Sequence, residues 1–429
     1  MLRRITATEV TGLARLAVDD EAREVARAIV ADVRAGGERA LRGYAAEYDR
    51  LDTNAPLFLD RDALARALES IDAETRGVLE RTAARIEAFA RAQREALADV
   101  NLPIPGGVAS HRFVPLAAAG CYAPGGRHPL PSSVLMTAIV ARVAGVREVW
   151  VASPDPAPET LAAAAIAGAS GLVAAGGAQA IAALAYGAGP VPDCDVIVGP
   201  GNKYVTAAKE LVARDRAIDM LAGPSELLVV ADHTANPTIV AADLLGQAEH
   251  DDDAIPMLIA LPGLDLDAVD AALEEQLATL PTAATARRAL ENGFVVAVDS
   301  RAAAIPLSEA LAPEHLQLSI DDAVVFAESL TRYGALFVGE NAAEVLGDYG
   351  AGPNHVLPTG GSARTETGLS VLTFLRARTQ LRIDAAGDAG TLVDDAVALA
   401  RIEGLEAHAR AAALRQPRKS GPPGTWISV

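Results

Sequence analysis

Cysteine is almost absent from this chain: among 429 residues only Cys121 and Cys194 occur. Two thiols without metal-type spacing exclude a disulfide-stapled scaffold and a cysteine-based zinc module, and they fit a reducing, cytoplasmic setting. Aromatic residues are scarce at 4% while apolar residues reach 51%, with alanine dominant, a composition suited to helices packed closely over sheets. Basic residues are outnumbered, 37 against 56 acidic, for a net charge of −19. Such a surface repels phosphate backbones and anionic lipid, so neither nucleic acid nor a membrane is an expected partner. The start MLRRITATEV lacks the apolar core of an export signal, and Glu9, Asp19, Asp20 and Glu21 follow too soon. The longest uncharged stretch, Leu161 to Pro192, is mostly Ala and Gly and is broken at Gly171, Gly176 and Gly177, which is not the pattern of a membrane helix. No internal repeat and no GxGxxG motif is present.

What the chain does have is alternation. Its length calls for two or more packed units. Residues from about 5 to 100 read as helices, with Val25, Ala26, Ile29, Val30 and Val33 opposite Glu21, Arg23, Glu24, Arg27 and Asp32. From Arg112 short apolar runs punctuated by Gly and Pro alternate with Ala-rich helical stretches. A second alternating set opens at SELLVVADHTANP and predicts helices over 237–249 and 266–280 on either side of the strand AIPMLIAL. After Arg378 the pattern turns helical through Leu414, and the tail RQPRKSGPPGTW reads as a frayed terminus. The fold class is therefore α/β with two α/β units.

Seven histidines occur, His111, His128, His233, His250, His315, His355 and His408. In LLGQAEHDDD, Gln247 and His250 project from one helix face. They form either a metal-binding pair or a surface amide beside an imidazole that complements the helix C-terminus. In LAPEHLQL, Glu314 and His315 put an acid next to an imidazole at an element boundary, the makings of a general-base pair. LGDYGAGPNHVLPTGG sets Asp348 and His355 in a Gly-rich loop of the kind that carries function. Glu403 and His408 lie near Gly404 in a C-terminal helical stretch. Tyr122, Gln179 and Asn202 sit in Gly-rich turns between a strand and a helix. Such turns either present N–H groups to a nucleotide or simply connect the two elements.

Eight segments taken in order, CYAPGGRHPLPSSVLM, GGAQAIAALAYG, VGPGNKYVTAAKELV, IDMLAGPSELLVVAD, ADLLGQAEH, LAPEHL, GDYGAGPNHVLPTGG and ARIEGLEAHA, resemble the histidinol dehydrogenase family over nearly the whole chain. The resemblance implies two incomplete Rossmann-like α/β domains, a helical N-terminal segment and a small helical C-terminal domain. Its boundaries fall at 1–14 for the N-terminal segment, at 15–121 with 225–370 for the zinc and catalytic domain, at 122–224 for the NAD side, and at 371–429 for the tail. It implies one zinc ion per site on Gln247, His250, Asp348 and His408, ligands that also meet the substrate. It further implies His315 as the base that also contacts substrate, Glu314 as the activator of water, Ser225, His355 and Glu403 around L-histidinol, and Tyr122, Gln179 and Asn202 against NAD. The implied reaction oxidises L-histidinol through L-histidinal to L-histidine, the last steps of histidine biosynthesis, with two NAD, in a homodimer whose C-terminal domain completes the partner's active site.

Two places depart from the family pattern: EALADVNLPIPGGVA is short and little polar, and GRHPLPSSVLM carries His128. Both suggest the substrate side, and they leave a paralogue acting on another small alcohol, such as a sulfonated propanediol, as the rival. Ser225 and Glu403 favour histidinol, since a sulfonate calls for a cation there. A non-catalytic scaffold of the same fold has no need to keep Glu314, His315 and the four ligands.

Overall fold

The computed structural model describes residues 2–10, 18–52, 54–125 and 129–416. A short strand β1 (Arg3–Arg4) precedes the long helix Asp20–Tyr48, and β2 (Phe58–Asp60) leads into helices Arg61–Ser70 and Ala73–Glu95. A hairpin of β3 (Val100–Ile104) and β4 (Gly107–Pro115) follows. Next come β5 (Ala118–Tyr122), β6 (Glu148–Ala152), β7 (Gly171–Val173), β8 (Val196–Val198) and β9 (Ala217–Ile218). The second alternating set supplies β10 (Glu226–Ala231), β11 (Ile255–Ala260), β12 (Phe294–Ala297), β13 (His315–Ser319) and β14 (Ala335–Val338). The chain then forms β15 (Leu375–Ile383) and helices Gly390–Ile402 and Glu406–Ala413.

Two six-stranded sheets result, ordered β2-β7-β6-β5-β8-β9 and β1-β12-β11-β10-β13-β14. Counted from β5 in one and β10 in the other, five strands of each run 3-2-1-4-5 and pair in parallel. That is the doubly wound order short of its sixth strand, so the expectation of incomplete Rossmann-like units holds. Strands covered on both faces need continuous apolar runs, and all six residues of β10 are buried. The predicted helices over 237–249 and 266–280 are found as Pro237–Ala248 and Leu266–Leu277. Asn236 and Asp265 cap their first turns. Among the described residues no helix is long and apolar enough to cross a membrane.

The structure partitions the chain differently from the boundaries expected at 15–121 and 371–429. One compact unit holds the described residues through Arg94 together with Pro115–Phe374, and a second holds Glu95–Val114 with the described residues from Leu375 onward. β5 belongs to the sheet that contains β6 to β9, because Ala119, Gly120 and Cys121 pair with both β6 and β8. The helix Asp20–Tyr48 also belongs with that sheet: Ala22, Ala26, Ile29 and Val33 are buried with Ile181, Leu184 and Val205. Val25 is exposed, and Ala22 takes its place on the apolar stripe. Nor is the C-terminal tail purely helical, for β15 joins β4 and β3 in a three-stranded sheet. Its residues after Arg376 are exposed, so the strand lacks the period-two burial contrast that would reveal it in sequence.

One buried ion pair organises the turn that follows β8. Lys209 and Asp219 are in contact, both essentially removed from solvent. Lys209 Nζ donates to the Gly199 carbonyl at 3.0 Å while Asp219 accepts the Gly199 N–H at 2.7 Å. Gly199 has φ +117, and a Cβ there would lie 2.0 Å from the Tyr122 carbonyl oxygen, so no larger residue fits. Substituting Lys209→Ala strands a carboxylate in the interior and is expected to lower unfolding free energy by about 3 kcal/mol. Urea denaturation measures this, and an unchanged midpoint would show the pair to be energetically silent.

Candidate active site

The first residues of β10 and β13 lie side by side, Leu227 opposite His315. With its Nδ1 protonated, His315 donates to the Glu226 carbonyl at 3.0 Å, which leaves Nε2 buried without a hydrogen-bond partner and 3.6 Å from Asp348 Oδ1. The neighbouring Glu314 is fixed by two donors to one oxygen, the Ser225 hydroxyl at 2.8 Å and the Glu226 N–H at 2.9 Å. Local sequence explains the juxtaposition: AGPSE and LAPEH each turn through a proline and enter a parallel strand one residue after Ser225 or Glu314.

Three carboxylates surround His315. Glu314 Oε2 and Glu344 Oε1 lie 3.8 Å and 3.7 Å from Nδ1, with Asp348 beyond Nε2. Burial opposes a charged imidazole, yet these carboxylates outweigh it and raise His315 to about 10. Burial likewise pushes Glu314 up to about 7, against the pull of His315 and its two donors. Asp348 moves the other way: although burial opposes its charge, contacts with His315, His355 and His250 hold it below the ordinary carboxylate range. His250 and His355 are lowered, chiefly by burial.

The pair Gln247 and His250, spaced three apart, does converge. Gln247 Nε2 lies 3.5 Å from His250 Nδ1, and His250 Nε2 is 3.6 Å from Asp348 Oδ2. Gln247 is fully buried and its Oε1 has no hydrogen-bond partner, an expensive arrangement unless a cation faces the oxygen. Ligand atoms of His250, Glu344 and Asp348 lie within 4.8 Å of one another. One imidazole, two carboxylates and an orphaned amide oxygen make a donor set that fits a divalent metal such as zinc. His355 joins the same cluster through Nδ1, which faces the Asp348 carbonyl at 3.0 Å.

Glu403 and His408 belong to the second unit, the former capping the helix Gly390–Ile402 and the latter within Glu406–Ala413, and both are exposed. The segment EALADVNLPIPGGVA also lies there, running from the end of the Ala73–Glu95 helix into the β3–β4 hairpin. His128 lies outside the described residues.

The three nucleotide candidates stand at the carboxyl ends of the other sheet's strands. Tyr122 ends β5, Gln179 opens the helix Gly177–Tyr186 after β7, and Asn202 caps the helix Lys203–Val212 after β8. Tyr122 and Gln179 share one turn, in which the Tyr122 hydroxyl accepts the Gly177 N–H at 3.3 Å. The sequence reading missed Glu344 and Asp49. Glu344 carried a signal, since it precedes Asp348 by one helical turn in EVLGD. Asp49, which touches Gln179, carried none.

A family model described as histidinol dehydrogenase matches residues 14–416. Histidinol dehydrogenase of Thermus thermophilus is 45% identical over 94% of this chain and 96% of its own length. That of Rhizobium meliloti is 43% identical over 93% of both. The crystal structure of histidinol dehydrogenase from Elizabethkingia anophelis superposes with a TM-score of 0.89 at 31% identity, covering 96% of this chain and 98% of that one.

Glu344 gives the metal-free site a pH signature. Burial raises its carboxyl from 4.5 to about 8, so the folded state holds this proton more tightly than the unfolded chain does. Stability must then fall as pH rises from about 4.5 towards about 8. Glu344→Gln removes that titration, and the chelated variant is expected to match the parent near pH 4.5 and exceed it by on the order of 2 kcal/mol at pH 8. Denaturant midpoints across this range test it, and parallel curves would count against an uncompensated Glu344.

Proposed function

The chain belongs to the histidinol dehydrogenase family, and from that premise we propose that it oxidises L-histidinol to L-histidine in two NAD-dependent steps at the His315 cluster. The observation that carries the reading is the pairing of Glu314 with His315, both buried, beside a donor set centred on Gln247, His250 and Asp348. In the first step His315, available as a base once a bound cation offsets the carboxylates that otherwise keep it protonated, accepts the alcohol proton as hydride passes from the carbinol carbon to nicotinamide, giving the aldehyde and NADH. Glu314, whose carboxyl is raised by burial to about 7, then takes a proton from the water that adds to the aldehyde, while the protonated His315 returns its proton to the carbonyl oxygen and is free to act again. His315 removes a hydroxyl proton from the resulting hydrate as the second hydride leaves, giving the carboxyl product and a second NADH. Each oxidation thus releases one hydride and one proton, the carboxyl product loses a third proton on ionising, and the water supplies the added oxygen. Ser225 keeps Glu314 in place, and the buried Nε2 of His355 is left unpartnered.

Zinc on Gln247, His250, Asp348 and a partner's equivalent of His408 would hold the substrate's imidazole and amine and offset the carboxylate charge. The nucleotide reading rests on Tyr122, Gln179 and Asn202 at the carboxyl ends of a doubly wound sheet, where such folds take dinucleotides. The buried free thiols Cys121 and Cys194 suit the reducing cytoplasm.

The second unit supports a shared homodimer. Leu399, Ile402, Leu405 and Leu414 are exposed along the stretch that carries Glu403 and His408, Ile402 by 81%. A monomer rarely leaves such a run uncovered, and a second copy would both cover it and receive the two polar residues.

Zinc-loaded protein is expected to form two NADH per L-histidinol consumed, and His315→Asn to abolish turnover with zinc still bound. Bound zinc without histidinol turnover would hand the function to a paralogue acting on another alcohol. Mixing His315→Asn and His408→Asn proteins under subunit exchange should restore about a quarter of parental activity, since half the dimers carry one intact site. No recovery would place His408 in its own subunit's site.

A further inference from the structure

Asp49 ends the helix Asp20–Tyr48, yet its carboxylate serves a turn far away in sequence. Its Oδ2 accepts both the Gly176 N–H at 2.9 Å and the Gln179 side-chain amide at 3.1 Å. Among the described residues no Lys or Arg pairs with it. Burial works against its charge, and the two hydrogen bonds partly offset that cost.

The turn it grips has no cap of its own. Gly176 is the N-cap of the helix Gly177–Tyr186 and provides no side chain. Helix N-termini carry unpaired N–H groups. Here Asp49 takes the N–H of Gly176 and the Tyr122 hydroxyl takes that of Gly177. Gln179 is 2% exposed, and its amide can face only one way. Its nitrogen donates to Asp49, and its Oε1 lies over Gly177, 2.8 Å from where a Cβ would stand. Flipping the amide would set oxygen against carboxylate. Gly177, at φ +59, admits this arrangement because it lacks a side chain.

A helix N-terminus after a parallel strand is otherwise a ready phosphate site. With a carboxylate already there, phosphate is repelled, and the turn is left to receive an uncharged, hydrogen-bonding part of the dinucleotide. We propose that Asp49 is a positioning residue for nucleotide binding, fixing the Gln179 carboxamide and the Gly176–Gly177 turn in the form that receives NAD. The inference rests on the reading of Gln179 as a nucleotide contact.

Steady-state kinetics of the zinc-loaded enzyme, with NAD varied at saturating L-histidinol, tests both levels. Asp49→Ala is expected to raise KM for NAD about tenfold with kcat changed less than about threefold and KM for histidinol unmoved. Asp49→Asn keeps an acceptor oxygen and should recover most of that loss. The double variant Asp49→Ala/Gln179→Ala should be no worse than Gln179→Ala alone, because one residue acts through the other. Additive losses, or an unchanged KM for NAD in both Asp49 variants, would overturn the proposal while leaving the dehydrogenase assignment intact. An unchanged KM in Gln179→Ala would overturn it together with the nucleotide role of Gln179. If Asp49→Ala fails to fold, Asp49→Ser, too short to reach both donors, takes its place, and an unchanged KM for NAD in that variant overturns the proposal.

Discussion

Concentrating negative charge around one imidazole is the constraint on which the rest of this site turns. Glu314, Glu344 and Asp348 all approach His315 inside the protein, where each charge is poorly solvated and mutual repulsion is weakly screened. Such a group is tolerable only if protons or a cation compensate it. The chain supplies the first through His315 and the raised carboxyls. It leaves room for the second through the orphaned oxygen of Gln247. The same tension equips the site for proton transfer, because it brings the Glu314 and Glu344 carboxyls to where they exchange protons near neutrality.

The two doubly wound sheets carry their candidate residues at opposite ends. Ligands of such sheets normally gather beyond the carboxyl ends of the strands, and Tyr122, Gln179 and Asn202 obey that rule. His315 and Glu226 instead begin their strands. In place of a glycine turn this edge has two proline-led segments, AGPSE and LAPEH, that deliver Ser225 and Glu314 to each other. Duplicating one architecture thus sets the proposed nucleotide contacts and the proposed proton-transfer residues at different edges.

Support for the turns comes from charged residues well removed from them in sequence. Lys209 and Asp219 shape the turn at Gly199, and Asp49 grips the one at Gly176. Each compensates for the absence of a GxGxxG loop, whose glycines would otherwise define the backbone path. Thr206 adds a further tie, its hydroxyl bonding the Ala222 carbonyl. The helix bearing Asn202 is thereby linked to the segment that leads to Ser225.

Alternation of apolar strands with helical stretches and the three-residue spacing of Gln247 and His250 were legible in the chain itself. Each depends on hydrogen bonds and side-chain directions repeating within a few residues. The approach of Glu344 to His315, the grip of Asp49 on Gln179 and the pairing of β15 with β4 were not. Nor did periodicity reveal that the Asp20–Tyr48 helix packs on the sheet of β5 to β9, since an amphipathic stripe declares that it will be buried without naming its partner. These relations join residues tens to hundreds of positions apart. Strand order and burial decide them, and both emerge only when the whole chain has chosen which surfaces to remove from water.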